Sequence, residues 1–87
     1  MRSILLHAHF EKKYSRLPKK VKVAFKERRN LFLDDVGNPL LGVHSLHGEH
    51  TGYKSFNVTG DIRVIYKEIR KDTFLFVDIG THGELYS

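Results

Sequence analysis

Two periods divide the chain. Phe10, Tyr14 and Leu17 recur at i, i+4 and i+7, which sets them on one side of a short helix while Lys12, Lys13 and Arg16 stay in water. Pro18 marks a break or the first turn of a second helix. Over Lys19–Asp34, the apolar positions Val21, Ala24, Phe25, Leu31 and Phe32 largely share one face. Arg28 interrupts that stripe where a buried helix wants a hydrophobe, so it is expected to snorkel or to reach across to another layer. The two segments predict an αα-hairpin, and residues 2–8 ahead of it read as a short strand or an extended arm. Gly37-Asn38-Pro39 closes the helical region. Gly42, Gly48 and Gly52 then punctuate residues 40–52, a spacing that favours a loop with one short extended piece.

Beyond residue 52 the period shortens to two. Residues 53–58, 62–69 and 73–79 are strand-like runs separated by Thr59-Gly60-Asp61 and Arg70-Lys71-Asp72. Such short connections force antiparallel neighbours, so the three form a meander. Alternation sets Ile62, Val64 and Tyr66 against Arg63, Ile65 and Lys67 in the middle strand. In the last it sets Phe74, Phe76 and Asp78 against Leu75, Val77 and Ile79. One face must cover the helices, leaving polar side chains, Arg63 among them, on the open face. The expected class is α+β: an N-terminal strand and helical hairpin packed on a C-terminal antiparallel sheet, as one domain spanning residues 1–87.

Composition bounds that picture. With 87 residues, 40% of them hydrophobic, there is material for one modest core. Cysteine is absent, which removes disulfides, thiolate zinc sites and cysteine nucleophiles together and points weakly to a reducing, cytoplasmic setting. Residues 1–9 carry one cation and a three-residue apolar run, far short of a signal-peptide core or membrane span, so a soluble protein without a membrane partner is expected. Charge is uneven: residues 1–30 hold ten Lys or Arg against two Glu, whereas the remainder holds five basic and eight acidic residues. A polyanion or an acidic protein would meet the N-terminal third first, although lysines that merely solvate two helices produce the same count.

Two groups of residues can do chemistry. His44, His47 and His50 form an H-x2-H-x2-H series compatible with metal ligation, with separately hydrogen-bonded imidazoles, or with contact to a substrate. The intervening glycines argue against a regular helix that would cluster them. Asp61, Arg63 and His82 fall near connected ends of the meander. Arg63 offers a planar cationic fork suited to phosphate, and His82 exchanges a proton near neutral pH. Asp61 can orient an imidazole or a ribose hydroxyl, or simply form the turn after Gly60.

The runs Thr59-Gly60-Asp61-Ile62-Arg63-Val64-Ile65-Tyr66 and Ile79-Gly80-Thr81-His82-Gly83-Glu84-Leu85-Tyr86 resemble the core and C-terminal signatures of the RelE/ParE toxin superfamily. His44-Ser45-Leu46-His47-Gly48 and the Thr81-His82 pair are most similar to its histidine-using branch, typified by YafQ. The resemblance implies a ribosome-dependent endoribonuclease that cleaves mRNA in the A site and is held inactive by a cognate antitoxin. Carried over residue by residue, His44, Asp61, His82 and Tyr86 match catalytic-site positions, and Arg63 matches a strand arginine that contacts the scissile phosphate. Asn57 stands where histidine-using relatives can carry another histidine; it can bind a hydroxyl or phosphate but cannot exchange a proton near pH 7. Ile62 replaces an aromatic.

The implied mechanism needs neither metal nor cofactor: the RNA 2′-hydroxyl attacks its adjacent phosphate, with one base, one acid and positive charge around the transition state. His44, oriented by Asp61, is read as the base and His82 as the acid, with exchange of those roles left open. Arg63 and Lys54 are read as phosphate stabilisers, and Tyr86 as a stacking or hydrogen-bonding partner. A ParE-like toxin acting on gyrase by protein contact, and a noncatalytic RNA- or protein-binding module, are the competing readings.

Overall fold

A computed structural model describes residues 1–86. The elements run β1 (Ser3–Leu6), α1 (Ala8–Ser15), α2 (Lys19–Asp34), a 3-10 turn (Pro39–Leu41), β2 (His44–Ser45), a second 3-10 turn (Gly48–His50), β3 (Lys54–Asn57), β4 (Ile62–Arg70), β5 (Thr73–Thr81) and α3 (His82–Tyr86). They build one five-stranded sheet in the order β1-β5-β4-β3-β2. The expected meander is β3-β4-β5, extended at one edge by antiparallel β2. At the other edge β1 pairs with β5 in parallel, a relation that needs the long connection the intervening elements supply. No helix among the described residues is long and apolar enough to cross a membrane.

Both predicted helices form, and their ends are tied. The His7 side chain accepts from the His9 amide at 3.0 Å, capping α1. Arg2 donates to the carbonyls of Leu33 and Asp34 at 2.9 and 3.1 Å, bringing a cation to the C-terminal end of α2. Arg28 donates to the Leu40 carbonyl, so the residue that broke the apolar stripe ties α2 to the 3-10 turn that follows it rather than to the sheet. The hairpin buries Phe10, Phe25 and Phe32 against Phe56, Val64, Tyr66, Phe76 and Ile79 of the sheet. Phe32 sits at the centre, with the rings of Phe56, Tyr66, Phe74 and Phe76 between 5.0 and 5.4 Å away. The buried Tyr66 hydroxyl has no partner among the described residues, and burial, with Glu68 nearby, raises its pKa to about 12.

The alternation read for β4 holds: Val64 and Tyr66 face the helices. That read for β5 does not. Across β4 the register slips between Ile65, opposite Asp78, and Tyr66, opposite Phe76, leaving Val77 as an extra residue in a bulge. The bulge resets the phase, so Phe74, Phe76 and Ile79 all enter the core. Val77 and Asp78 instead share a shallow depression with Ile65 and Tyr53 on the other side of the sheet.

Candidate active site

The open face of the sheet carries a cleft of about 400 Å³. Ser55 of β3 and Arg63 of β4 line it from the sheet, because alternation turns Phe56 and Val64 the other way into the core. His44 and Ser45 of β2, with His47 and His50 from the following segment, form one wall, and His82 and Tyr86 of α3 form another. Among the described residues, no aspartate or glutamate belongs to the lining. Of the six histidines, His7 caps α1 and His9 lies 3.3 Å from Asp78; the other four all line this cleft, and their side chains have no hydrogen-bond partner among the described residues. Four imidazoles and a guanidinium, with no facing carboxylate among the described residues, suit an anion, and imidazole is a side chain fitted to proton exchange.

Arg63 is held from behind. It stands opposite Asn57 in the β3–β4 register, and its Nε donates to Asn57 Oδ1 at 3.2 Å. Asn57 in turn packs against Gly42, whose φ of +55° favours glycine and whose added Cβ would lie 2.5 Å from Asn57 Nδ2. Gly42→Ala is therefore expected to destabilise the fold by about 1 kcal/mol or more, from backbone strain, and to displace Asn57 from Arg63. Urea unfolding reads the first effect, and a changed Arg63 Nε–H resonance reads the second.

The five-residue α3 is too short to persist alone. Buried Leu85 anchors it, and Thr81 and Glu84 form a capping box: the Thr81 amide donates to Glu84 Oε1 at 2.8 Å and the Glu84 amide donates to Thr81 Oγ1 at 3.2 Å. This cap orients His82 and Tyr86, which are four positions apart with ring centroids 4.7 Å from each other. Tyr86 also meets the edge of His50 at 5.8 Å. The Thr81 amide, then the Thr81 hydroxyl, hold the Glu84 carboxyl below its ordinary pKa, with Lys13 adding to the effect. Because the folded pKa is the lower one, the cap contributes fully above the ordinary carboxylate range and is lost as pH falls through the depressed value. Acidification is thus expected to shift the Thr81 amide resonance with Glu84, and Glu84→Gln, which still accepts that bond, is expected to abolish the acid step.

The structure brings His44, Arg63, His82 and Tyr86 together in one cleft. It places three other sequence candidates elsewhere. Asn57 backs Arg63 and is not part of the lining. Asp61 is exposed in the β3–β4 turn, where its amide and that of Ile62 donate to Thr59 Oγ1 at 3.2 and 3.0 Å, so local turn chemistry accounts for its position. Lys54 precedes the cleft-lining Ser55 in β3, so it turns to the opposite face and lines a separate pocket with Arg2, Tyr66 and Phe74. Conversely, His47 and His50 were visible only as members of a spaced series. A 3-10 turn eclipses positions i and i+3, which carries both into the cleft. Among the described residues, no group of three or more His, Asp or Glu side chains is disposed to hold a metal ion.

A helical hairpin over one face of a mixed sheet is an α+β architecture shared with solved bacterial toxins. YafQ from E. coli strain BL21(DE3) matches with a TM-score of 0.82 at 22% identity, covering 100% of both chains. A chain of the E. coli DinJ–YafQ toxin–antitoxin complex gives 0.79 at 23% identity, over 99% of this chain and 98% of that one. A YoeB/ParE toxin from Agrobacterium tumefaciens gives 0.75 at 14% identity, over 92% and 98%. No protein-family model matches the sequence, and no curated protein does. The chain has the fold of these toxins.

Proposed function

We propose that the chain is a ribosome-dependent endoribonuclease toxin, acting as one domain in the cytoplasm on mRNA in the ribosomal A site and restrained by a cognate antitoxin. The observation that carries this reading is the cleft itself: four imidazoles and Arg63 face a common space, and among the described residues these imidazoles have no hydrogen-bond partner and no carboxylate joins the lining. The shared fold with YafQ and with a chain of a toxin–antitoxin complex supports it. The excess of cations in residues 1–30 suits the α1–α2 hairpin to docking on ribosomal RNA, with screening by salt.

In this mechanism one imidazole takes the proton of the RNA 2′-hydroxyl, whose oxygen attacks the adjacent phosphorus. The other protonates the departing 5′-oxygen. The bond to that oxygen breaks, leaving a 2′,3′-cyclic phosphate and a 5′-hydroxyl. His44 of β2 and His82 of α3, which line the same cleft, serve as base and acid in either order. Arg63, steadied by Asn57, neutralises the charge that gathers on the non-bridging oxygens. Tyr86, its ring tilted against that of His82, offers a face to a base and keeps the acid–base ring in place. Asp61, read as orienting the base, and Lys54, read as a phosphate stabiliser, lie outside the lining, and this mechanism assigns them no step.

End-group analysis of a message translated in a purified system tests this chemistry. The expected fragments carry 2′,3′-cyclic phosphate and 5′-hydroxyl ends; 3′-hydroxyl and 5′-phosphate ends would require a different nucleophile.

A further inference from the structure

His47 and His50 line the cleft but have no part in that mechanism. His50 is the better held. It is half-buried where His47 is exposed, and its ring stands edge-on to Tyr86, so its direction is set while its nitrogens have no hydrogen-bond partner among the described residues. Single-stranded RNA lying across the cleft brings one phosphate per nucleotide, and Arg63 serves only one of them.

The described groups that share the cleft with His50 are His82 and Tyr86 of α3, Arg63 of β4, and His44 of β2. On its other side lie Glu49 of its own turn, Tyr53, and Asp78 of β5. Asp78 is already engaged, accepting from Lys13 Nζ at 2.7 Å and from the Ile79 amide at 2.9 Å. Glu49 is exposed, where water and salt screen it.

We propose that His50, with His47 beside it on the same turn, forms a second phosphodiester-binding position for single-stranded RNA, charged only when its imidazole is protonated. The inference rests on the reading that the cleft takes RNA. Its consequence is separate from catalysis: RNA engagement tightens on acidification through a contact that transfers no proton to or from the substrate.

Binding of a 2′-O-methyl RNA oligonucleotide, which cannot be cleaved by 2′-hydroxyl attack, tests this. At about pH 6, His50→Phe is expected to flatten the slope of log Kobs against log salt by about 0.7, the share of one single-strand phosphate contact, and at about pH 8 to bind like wild type. His50→Arg is expected to keep the steeper slope at both pH values. Phenylalanine preserves an aromatic edge against Tyr86, so an equal deficit at both pH values marks a packing role and overturns the proposal. Equal slopes at about pH 6, or no binding by wild type, overturn it as well. Because the strand is uncleavable, failure of the nuclease reading with the pH-dependent slope intact remains distinguishable from failure of this subsite.

Discussion

His82→Ala is expected to lower mRNA cleavage by about 10²- to 10⁴-fold, the range contributed by a positioned proton-transfer group. His82 is exposed at the start of α3, has no hydrogen-bond partner among the described residues and touches Tyr86 through its ring alone. Alanine suits the first turn of a helix, and Thr81, Glu84 and Leu85 still hold α3 in place. The variant should therefore fold with near wild-type thermal stability and retain its antitoxin. Single-turnover cleavage beside a melting curve separates the two properties. Wild-type cleavage by His82→Ala would remove this residue from the acid–base pair.

The largest effect on stability is expected at Phe32. Its ring is fully buried and meets four other aromatics, so truncation opens a void between hairpin and sheet that neighbours of such size cannot fill. Phe32→Ala is expected to cost about 3–5 kcal/mol, against about 5–15 kcal/mol of total stability for a typical domain. In urea the midpoint should fall by a large fraction, or the native baseline disappear. A loss under about 1 kcal/mol would mean that the α2–sheet contact is not the centre of the core.

The contrast between these two residues shows what the sequence carries and what it does not. Phe32 was legible because helical and strand periods report which side chains are buried, and α2 spans Lys19–Asp34 as its apolar stripe predicts. Three features were hidden for one reason, that they depend on partners far along the chain. The parallel β1–β5 pair is set by tertiary packing of the edge. The bulge at Val77 depends on the β4 register, and it puts Ile79 in the core against simple alternation. Lys54 fell outside the cleft because its place depends on which face β3 presents. Asp61 is a local case: its turn, tied to Thr59 two residues away, was one of the readings its sequence offered.

Within the candidate site, His44, Arg63, His82 and Tyr86 were named from type and position, and the fold collects them. Asn57 was named for phosphate and instead buttresses the residue suited to that task. His47 and His50 carried a visible spacing, but only the 3-10 turn between them converts it into a shared direction. Gly42 carries no chemistry of its own, yet its backbone makes room for Asn57 and so for the setting of Arg63.

Cleavage mapping in a purified translation system, with and without ribosomes, in the presence of a transition-metal chelator that leaves ribosomal magnesium in place, is the most direct test. Wild type is expected to cut in the A-site codon only when ribosomes translate the message, with cuts undiminished by the chelator and lost in His82→Ala. Intact message together with arrested DNA supercoiling by the same preparation would contradict the nuclease reading and turn the cleft's histidines into bystanders.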